Sequence, residues 1–261
     1  MEKKYRLTEE TTTYRGRTLH RIEALTDFDG VKKGDKGGWI ESESNLSQEG
    51  DCWVGGNAKV YGNAQVYHSA RVSDNAMMYG DAQVRDSAEV YNDAQVYGRA
   101  NVCGAAQIYG KARVYGDVSM NGDAQVYGDA RVYGVARVHG DAWVYGKAKV
   151  HGRAHLYGDA QVFDDAQVYG RAEMYENAKV YDNARVYGDA QVRGRAKVFD
   201  NAWVYGHARV FGGAWVYENA RVCVAADVEA KSRICGDAVV KQMGRCYEAI
   251  VNAVEKINSI L

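Results

Sequence analysis

Hydrophobic and polar positions through the middle of the chain repeat every six residues. In the hexad 124–129 the order is alanine, glutamine, valine, tyrosine, glycine and aspartate. Every sixth residue from Ala58 to Ala238 is alanine, except Val118 and Ser232. The position two residues after each alanine is valine, isoleucine, leucine or methionine throughout. Apolar positions that alternate with polar ones predict a short strand with one buried face in every hexad.

The last two positions of each hexad predict a corner that ends the strand. The first of them, the corner position, is usually glycine, which adopts positive φ without steric cost. Where glycine is absent the residue is mostly Asp or Asn, the next most tolerant of that conformation. The remaining corner positions carry His68, Glu176, Glu218, Val224 and Ala230.

The residue after each valine, the aromatic position, divides the hexads into three sets. A strand this short cannot bury its inner face alone, so the hexads must stack on one another. Taking every third hexad gives the three columns that define faces A, B and C below. Face A carries Tyr61, Tyr79, Tyr97, Tyr115, Tyr133, His151, Tyr169, Tyr187, Tyr205 and Cys223. Face B carries Ser73, Tyr91, Tyr109, Tyr127, Tyr145, Phe163, Tyr181, Phe199, Tyr217 and Cys235. Face C carries Tyr67, Arg85, Cys103, Asn121, His139, Tyr157, Tyr175, Arg193, Phe211 and Glu229. Faces A and B are mostly aromatic and face C is not, which predicts a three-sided solenoid with three hexads in each turn.

An aliphatic residue followed four positions later by a small one, as Val126 is followed by Ala130, resembles the hexapeptide-repeat left-handed β-helix family. The closest likeness is to YdcK-like proteins of bacteria and prophages, many of which are labelled transferases, and the segment 33–40 resembles theirs as well. The resemblance implies a left-handed coil. The expected fold is therefore all-β: a single-stranded, three-sided, left-handed parallel β-helix of about 11 coils, counting three hexads to a coil.

Three segments are expected. Residues 1–45 do not repeat, and alternation on either side of Arg15, Gly16 and Arg17 predicts a β-hairpin, followed by a glycine-rich loop over 32–38. This segment is expected to cap the first coil, and residues 46–240 to form the β-helix. Residues 241–261 carry apolar residues at heptad spacing and predict an amphipathic helix, which caps the last coil or pairs with its own copies.

Composition narrows the partners and the compartment. The 261 residues carry a formal net charge of −1, which does not indicate binding to nucleic acid or to an anionic membrane. No apolar run is long enough to span a bilayer. Five cysteines without metal-site spacing favour a reduced cytoplasm, and no metal is expected.

Face C carries the candidate catalytic residues. Hexapeptide-repeat acyltransferases use a histidine at a subunit boundary as general base and acetyl-CoA as the acyl donor, so the resemblance points to His139 or His155. Glu173 lies one coil after His155 in the same outward column, where it would orient the base. Arg137 and Asn121 lie nearby and are candidate binding residues. The opposing interpretation is an exposed ladder of polar side chains.

Faces A and B carry the candidate contact residues. Trp143, Trp203 and Trp215 widen the aromatic columns, and Tyr115 and Tyr133 belong to the most regular of them. Rigid amphipathic rings suit a protein interface, although simple stacking within the chain explains them equally well.

Three functions are weighed. The acyltransferases of the family carry a loop thrown out of the helix, and here no insertion breaks the hexads. The first hypothesis is therefore a non-catalytic scaffold that needs no cofactor and presents these faces to a protein partner or to itself, as a dimer or trimer. The alternative is an acetyl-CoA-dependent acyltransferase. The third is a phage-encoded factor that binds a host protein or a nucleotide signal.

Overall fold

The computed structural model describes residues 3–241, 245–247 and 250–251. It divides into two compact units, which meet in sequence between Gly134 and Val135 and are described separately. Both units are parallel β-solenoid, and the chain completes about 11 turns. Stacked strands pair each residue with the one three hexads further along the chain, as Tyr97 pairs with Tyr115. The predicted all-β solenoid with three hexads in each turn is confirmed; its left-handedness stays a prediction.

Each turn is joined to the next by backbone hydrogen bonds that run along the stack. The Gln95 N–H donates to the Ala112 carbonyl at 2.9 Å, and the Tyr91 N–H donates to the Ile108 carbonyl at 3.0 Å. The alanine and valine columns point inward and are almost wholly buried. The small alanine side chains fit beside the corners, and the valines fill the space between the strands.

The first unit opens with an antiparallel cap. It consists of β1 (Tyr5–Tyr14), β2 (Arg17–Ala24) and β3 (Lys36–Ile40). β1 and β2 form the predicted hairpin, and β3 then pairs parallel with Lys59–Val60. The cap is thereby continuous with the solenoid strands of face A.

The glycine-rich segment 32–38 was expected to be a loop, but β3 begins at Lys36. The correction has a packing cause. A Cβ on Gly37 would lie 2.5 Å from both the Ile22 Cγ1 and the Trp53 Cζ2 atoms. Glycine is needed here because the strand passes close to its neighbours, and the sequence pattern does not distinguish that from a turn.

A buried asparagine closes the first coil. Asn45 ends the short 3-10 helix Glu43–Asn45 and is fully buried. Its Nδ2 donates to the Gly62 and Ala64 carbonyls, both at 2.9 Å, and its Oδ1 accepts the Ser42 N–H at 2.9 Å. The Asn45 side chain thus donates to backbone carbonyls that the N–H groups of a preceding turn would otherwise bind.

The solenoid strands of the first unit are short and parallel. Those of face A are Lys59–Val60, Met77–Gly80, Gln95–Gly98, Arg113–Gly116 and Arg131–Gly134. Those of face B are Trp53–Val54, Arg71–Val72, Glu89–Val90, Gln107–Ile108 and Gln125–Val126. Those of face C are Gln65–Val66, Gln83–Val84, Asn101–Val102 and Ser119–Met120.

The second unit repeats the arrangement. Its face A strands are Lys149–Val150, Gln167–Val168, Arg185–Val186, Trp203–Val204, Arg221–Val222 and Val239–Val240. Its face B strands are Trp143–Val144, Gln161–Val162, Lys179–Val180, Lys197–Val198, Trp215–Val216, Arg233–Ile234 and Ile250–Val251. Its face C strands are Arg137–Val138, His155–Leu156, Glu173–Met174, Gln191–Val192, Arg209–Val210, Asp227–Glu229 and Arg245–Tyr247.

Most of the helix predicted over 241–261 lies outside the described residues. Beyond Lys241, the backbone described in that segment, at Arg245–Tyr247 and Ile250–Val251, is strand and differs from the prediction. Both strands pair parallel with the preceding turn. The open edge of that turn offers a row of unpaired N–H and C=O groups, which a strand can satisfy and a helix cannot.

The corner prediction is confirmed at every substituted position. The residues that replace glycine there all have positive φ, including Asp74 at 59° and Val224 at 63°. A Cβ on Gly116 would lie 2.6 Å from the Gly134 carbonyl oxygen, so close stacking of the turns adds a second reason for glycine.

Candidate functional site

Face C of the second unit brings three of the predicted site residues into one column. Arg137 pairs with His155 and His155 pairs with Glu173 on adjacent strands. The Glu173 Oε2 accepts a hydrogen bond from the Gln191 Nε2 at 3.1 Å. Among the described residues no hydrogen bond or ion pair joins His155 to Glu173, and the carboxylate is engaged on its other side. The column therefore has the geometry of a polar ladder.

His139 occupies the aromatic position beside this column. Its backbone N–H donates to the Leu156 carbonyl at 2.9 Å. Its Nε2 is buried and has no hydrogen-bond partner among the described residues. Burial, the Arg137 guanidinium and His155 all lower the pKa of the imidazole. These effects favour the neutral imidazole, the form that a general base requires, although the unengaged ring nitrogen is itself buried.

The remaining face C candidate, Asn121, and the neighbouring Cys103 lie in the first unit. Asn121 is half-buried and follows the strand Ser119–Met120. Cys103 donates its thiol to the Met120 carbonyl at 3.4 Å, and burial raises the pKa of that thiol. A thiol with a raised pKa is a poor nucleophile. The Arg85 guanidinium lowers the pKa of the Cys103 thiol, but burial outweighs it.

The aromatic positions of faces A and B form stacked ladders within each unit. Tyr115 stacks on Tyr97 at a ring-centroid distance of 4.7 Å and on Tyr133 at 5.1 Å, with the planes within 3° of parallel. In the second unit Phe163 stacks on Tyr145 and on Tyr181, both at 4.8 Å. The rings are half-buried, so each ladder presents one edge outward.

The three candidate tryptophans differ in how much of their surface the chain itself covers. The Arg185 and Arg221 guanidinium groups lie 5.2 and 4.8 Å from the Trp203 ring centroid. Trp215 is flanked in the same way by a lysine and an arginine, at 4.9 and 4.6 Å. Trp143 is 38% exposed. It is the tryptophan of the three that is most available to a partner.

Comparison with known protein families finds a similarity in four segments of the solenoid. Four segments match the family model described as the YdcK beta solenoid repeat: 106–122, 124–140, 178–195 and 202–218. Each match spans about one turn of the structure. These four turns are similar to the YdcK β-solenoid repeat.

One curated relative matches part of this chain. The "Uncharacterized acetyltransferase YdcK" of Escherichia coli (strain K12) is 40% identical over 60 residues, which cover 20% of this chain and 18% of the relative. The chain spans about a fifth of that protein's length. The acetyltransferase activity in that name therefore belongs to the E. coli protein and is not transferred to this chain.

Carboxylates at the corners of the second unit have a role that the sequence analysis missed. The corner residue's own N–H takes no part in the backbone hydrogen bonds between turns. In consecutive turns the Asp182 Oδ2 accepts the Asp200 N–H at 3.2 Å, and the Asp200 Oδ2 accepts the Glu218 N–H at 3.0 Å. The signal was present in the sequence as acidic residues three hexads apart at the corner position.

Three further features of the described residues bear on function. No group of three or more His, Cys, Asp and Glu side chains in this part of the chain is arranged to hold a metal ion. A cleft of about 200 Å³ in the first unit is lined by Trp53, Arg71 and Tyr91, among others, and by none of the candidate catalytic residues. No helix among these residues is long and apolar enough to cross a membrane.

Proposed function

We propose that the protein is a non-catalytic scaffold whose aromatic faces bind a protein partner. The observation that carries the proposal is the stacking of the aromatic ladders, with centroids 4.7–5.2 Å apart and planes within 5° of parallel. Rings held in this way have little conformational entropy left to lose on binding. Amphipathic rings of this kind are enriched at protein interfaces.

Trp143 is the contact residue that best suits a direct test. We expect a photo-crosslinking amino acid at position 143 to form an adduct with a partner protein in the expressing cell. The same amino acid at Gln191, on face C, serves as the control. Once the partner is identified, Trp143→Ala should weaken its binding by about tenfold or more, as for a typical interface anchor, while Gln191→Ala leaves it nearly unchanged. Equal adducts at both positions, or none at 143, would contradict the proposal.

An acyltransferase is the second candidate, and His139 is the observation that favours it. Its neutral imidazole with an unengaged nitrogen suits a general base, and Arg137 would supply a cation for a phosphate of acetyl-CoA. Acetyl-CoA would bring the activated acyl group. The name of the E. coli relative points the same way.

Acetyl-CoA binding separates the two functions. The scaffold proposal expects the melting temperature of the pure protein to be unchanged by acetyl-CoA. A rise that His139→Ala abolishes and Tyr157→Phe preserves would replace the scaffold with the acyltransferase. His155→Ala distinguishes the two histidines in the same assay.

A further inference from the structure

Face B of the second unit carries three parallel columns of different character. The outer column is the residue between alanine and valine in each hexad, and it holds Trp143, Gln161, Lys179, Lys197, Trp215 and Arg233. The aromatic column holds Tyr145, Phe163, Tyr181, Phe199, Tyr217 and Cys235. The corner column holds Gly146, Asp164, Asp182, Asp200, Glu218 and Gly236. A column with three cations and a column with four carboxylates therefore flank one aromatic ladder.

None of these charges is neutralised within the described part of the chain. No ion pair there includes Lys179, Lys197 or Arg233, or any of the four corner carboxylates. The next column outward is neutral at its centre, where Asn183 donates to Asn201 at 3.3 Å and Asn201 donates to Asn219 at 3.4 Å. Lys197 and Arg233 lie over the Trp215 ring. Asp182, Asp200 and Glu218 each accept one backbone N–H through one carboxylate oxygen. Both signs of charge are therefore present on this face without an opposite charge beside them.

The other two faces of the same unit do not share this arrangement. Face A has a basic outer column, but its corners are glycines and Val224. Part of the charge on face C is neutralised within that face, because Arg209 and Asp227 form a bidentate ion pair at 2.6 and 2.7 Å. Among the described residues of this unit, face B alone sorts unpaired charges of opposite sign into separate columns.

The ladder between the charges is also the most apolar one in this unit. Phe163 and Phe199 replace tyrosine there, and they stack on Tyr181 at 4.8 and 5.0 Å. An apolar strip bordered by polar groups is the anatomy of a protein interface.

We propose that a second copy of this chain docks on face B of the second unit, side by side and parallel. The proposal rests on the scaffold function above and names one partner, the chain itself. A two-fold axis along the stacking direction, midway between the charged columns, places each basic column over the acidic column of the other copy. The two aromatic ladders then lie beside each other. Such an interface is isologous, and its symmetry is closed.

Two hexads supply the central ion pairs. Lys179 and Asp182 belong to one hexad, and Lys197 and Asp200 to the next on this face. Because the rotation keeps each turn level with its counterpart, Lys179 meets Asp182 of the second copy and Lys197 meets Asp200 of the second copy. Antiparallel docking would place like charges opposite each other, which is unfavourable.

Charge reversal tests this arrangement in the full-length protein. Lys179→Glu with Lys197→Glu places acidic residues at the centre of both columns, and Asp182→Lys with Asp200→Lys places basic residues at the centre of both. Long side chains are compatible with the corner because Glu176 and Glu218 already have positive φ. We expect the wild type to sediment as a dimer of the 28.8 kDa chain and each variant as a monomer. An equimolar mixture of the two variants should restore the dimer, with affinity recovered by at least about tenfold.

Circular dichroism and cooperative urea unfolding first establish that each variant is folded, so that failure of the mixture reports on the interface and not on folding. Added NaCl should weaken the wild-type dimer and the mixed dimer alike. A monomeric or trimeric wild type, unchanged dimerisation in the variants, or failure of the mixture would overturn the proposal. If position 143 then crosslinks to a different protein, self-association fails and the scaffold function stands. If it crosslinks to nothing, both fail.

Discussion

Residues at the corners adopt positive φ because the repeat requires it, and this conformation is unfavourable for residues other than glycine. A β-branched residue with positive φ is a steric outlier, and Val224 has φ of 63°. The sequence shows this cost as a preference for Gly, Asp and Asn at the corners. It shows the compensation only indirectly, as acidic residues three hexads apart, because the hydrogen bond from the N–H of the next corner to such a side chain is a contact between turns.

Val224→Gly should therefore stabilise the protein. Relief of the left-handed conformation is worth about 1–2 kcal/mol, partly offset by the greater freedom of glycine in the unfolded chain, so a net gain of about 1 kcal/mol is expected. Urea unfolding measures it. The matched control is Val135→Gly: Val135 is also exposed, but it does not have positive φ, so stability should fall slightly. A loss of stability at both positions would show that the corner carries no strain.

His151 and His139 make stability depend on pH. Burial lowers the pKa of His151, and so does Lys149; the pKa of His139 is lowered as well. Both histidines thus bind a proton more readily in the unfolded chain, so the free energy of unfolding should fall as pH drops below the ordinary histidine value of about 6.5. Carboxyl groups whose pKa is lowered, such as Asp86, change the free energy of unfolding only at lower pH, where they bind a proton.

Replacing His151 with the ladder's own residue isolates this effect. His151 stacks on Tyr169 at 4.9 Å, so His151→Tyr preserves the ladder and removes the titrating group. The variant should gain more stability at about pH 5.5 than at about pH 8, and addition of His139→Gln should flatten the dependence further. Urea unfolding at the two pH values measures this. A variant with the wild-type pH slope would exclude His151 as the cause.

At the scale of the strand and its neighbours, much was predictable from the sequence. The hexad period gives the strand, the corner and the inward columns, and the sorting of aromatics into every third hexad gives the faces. Contacts between side chains in adjacent turns were harder to predict from the sequence. Glu173 has His155 on one side and Gln191 on the other, and the choice of Gln191 depends on rotamers that no period specifies. β3 was missed because its glycines serve close packing.

The aromatic ladders should contribute measurably to stability within a unit. Tyr97 stacks on Tyr79 and on Tyr115, both at 4.7 Å. Tyr97→Ala removes two stacked contacts, each worth about 0.5–1.5 kcal/mol beyond area burial, so a loss of at least about 2 kcal/mol is expected in urea unfolding. Tyr97→Phe keeps the stack and should stay within about 0.5 kcal/mol of wild type. Equal losses in both variants would assign the contribution to the hydroxyl instead.

At the scale of the whole chain, one backbone pattern supports different surfaces. The inward columns are nearly identical in every turn, whereas the outward columns vary from face to face. Function therefore lies in residues that the fold does not constrain, which is why the sequence predicts the solenoid and leaves the choice between scaffold and acyltransferase to experiment. The match to YdcK repeats extends over single turns and agrees with this division.

The modular energetics of a solenoid lead to a last prediction, made within the second unit. Each turn contacts only its neighbours, so removal of one complete turn should leave every remaining contact type intact. Deletion of residues 166–183 joins Asp165 to Ala184, as Asp165 was joined to Ala166, and keeps all three faces in register. Deletion of 166–174 instead places Tyr175 at a buried alanine position, where overpacking costs about 1–3 kcal/mol or more and the strand's inward and outward residues exchange places. We expect the first variant to retain the wild-type β-sheet circular dichroism and cooperative unfolding, and the second to lose cooperativity and become sensitive to protease. If both variants behaved alike, the turn of three hexads would not be the unit of stability.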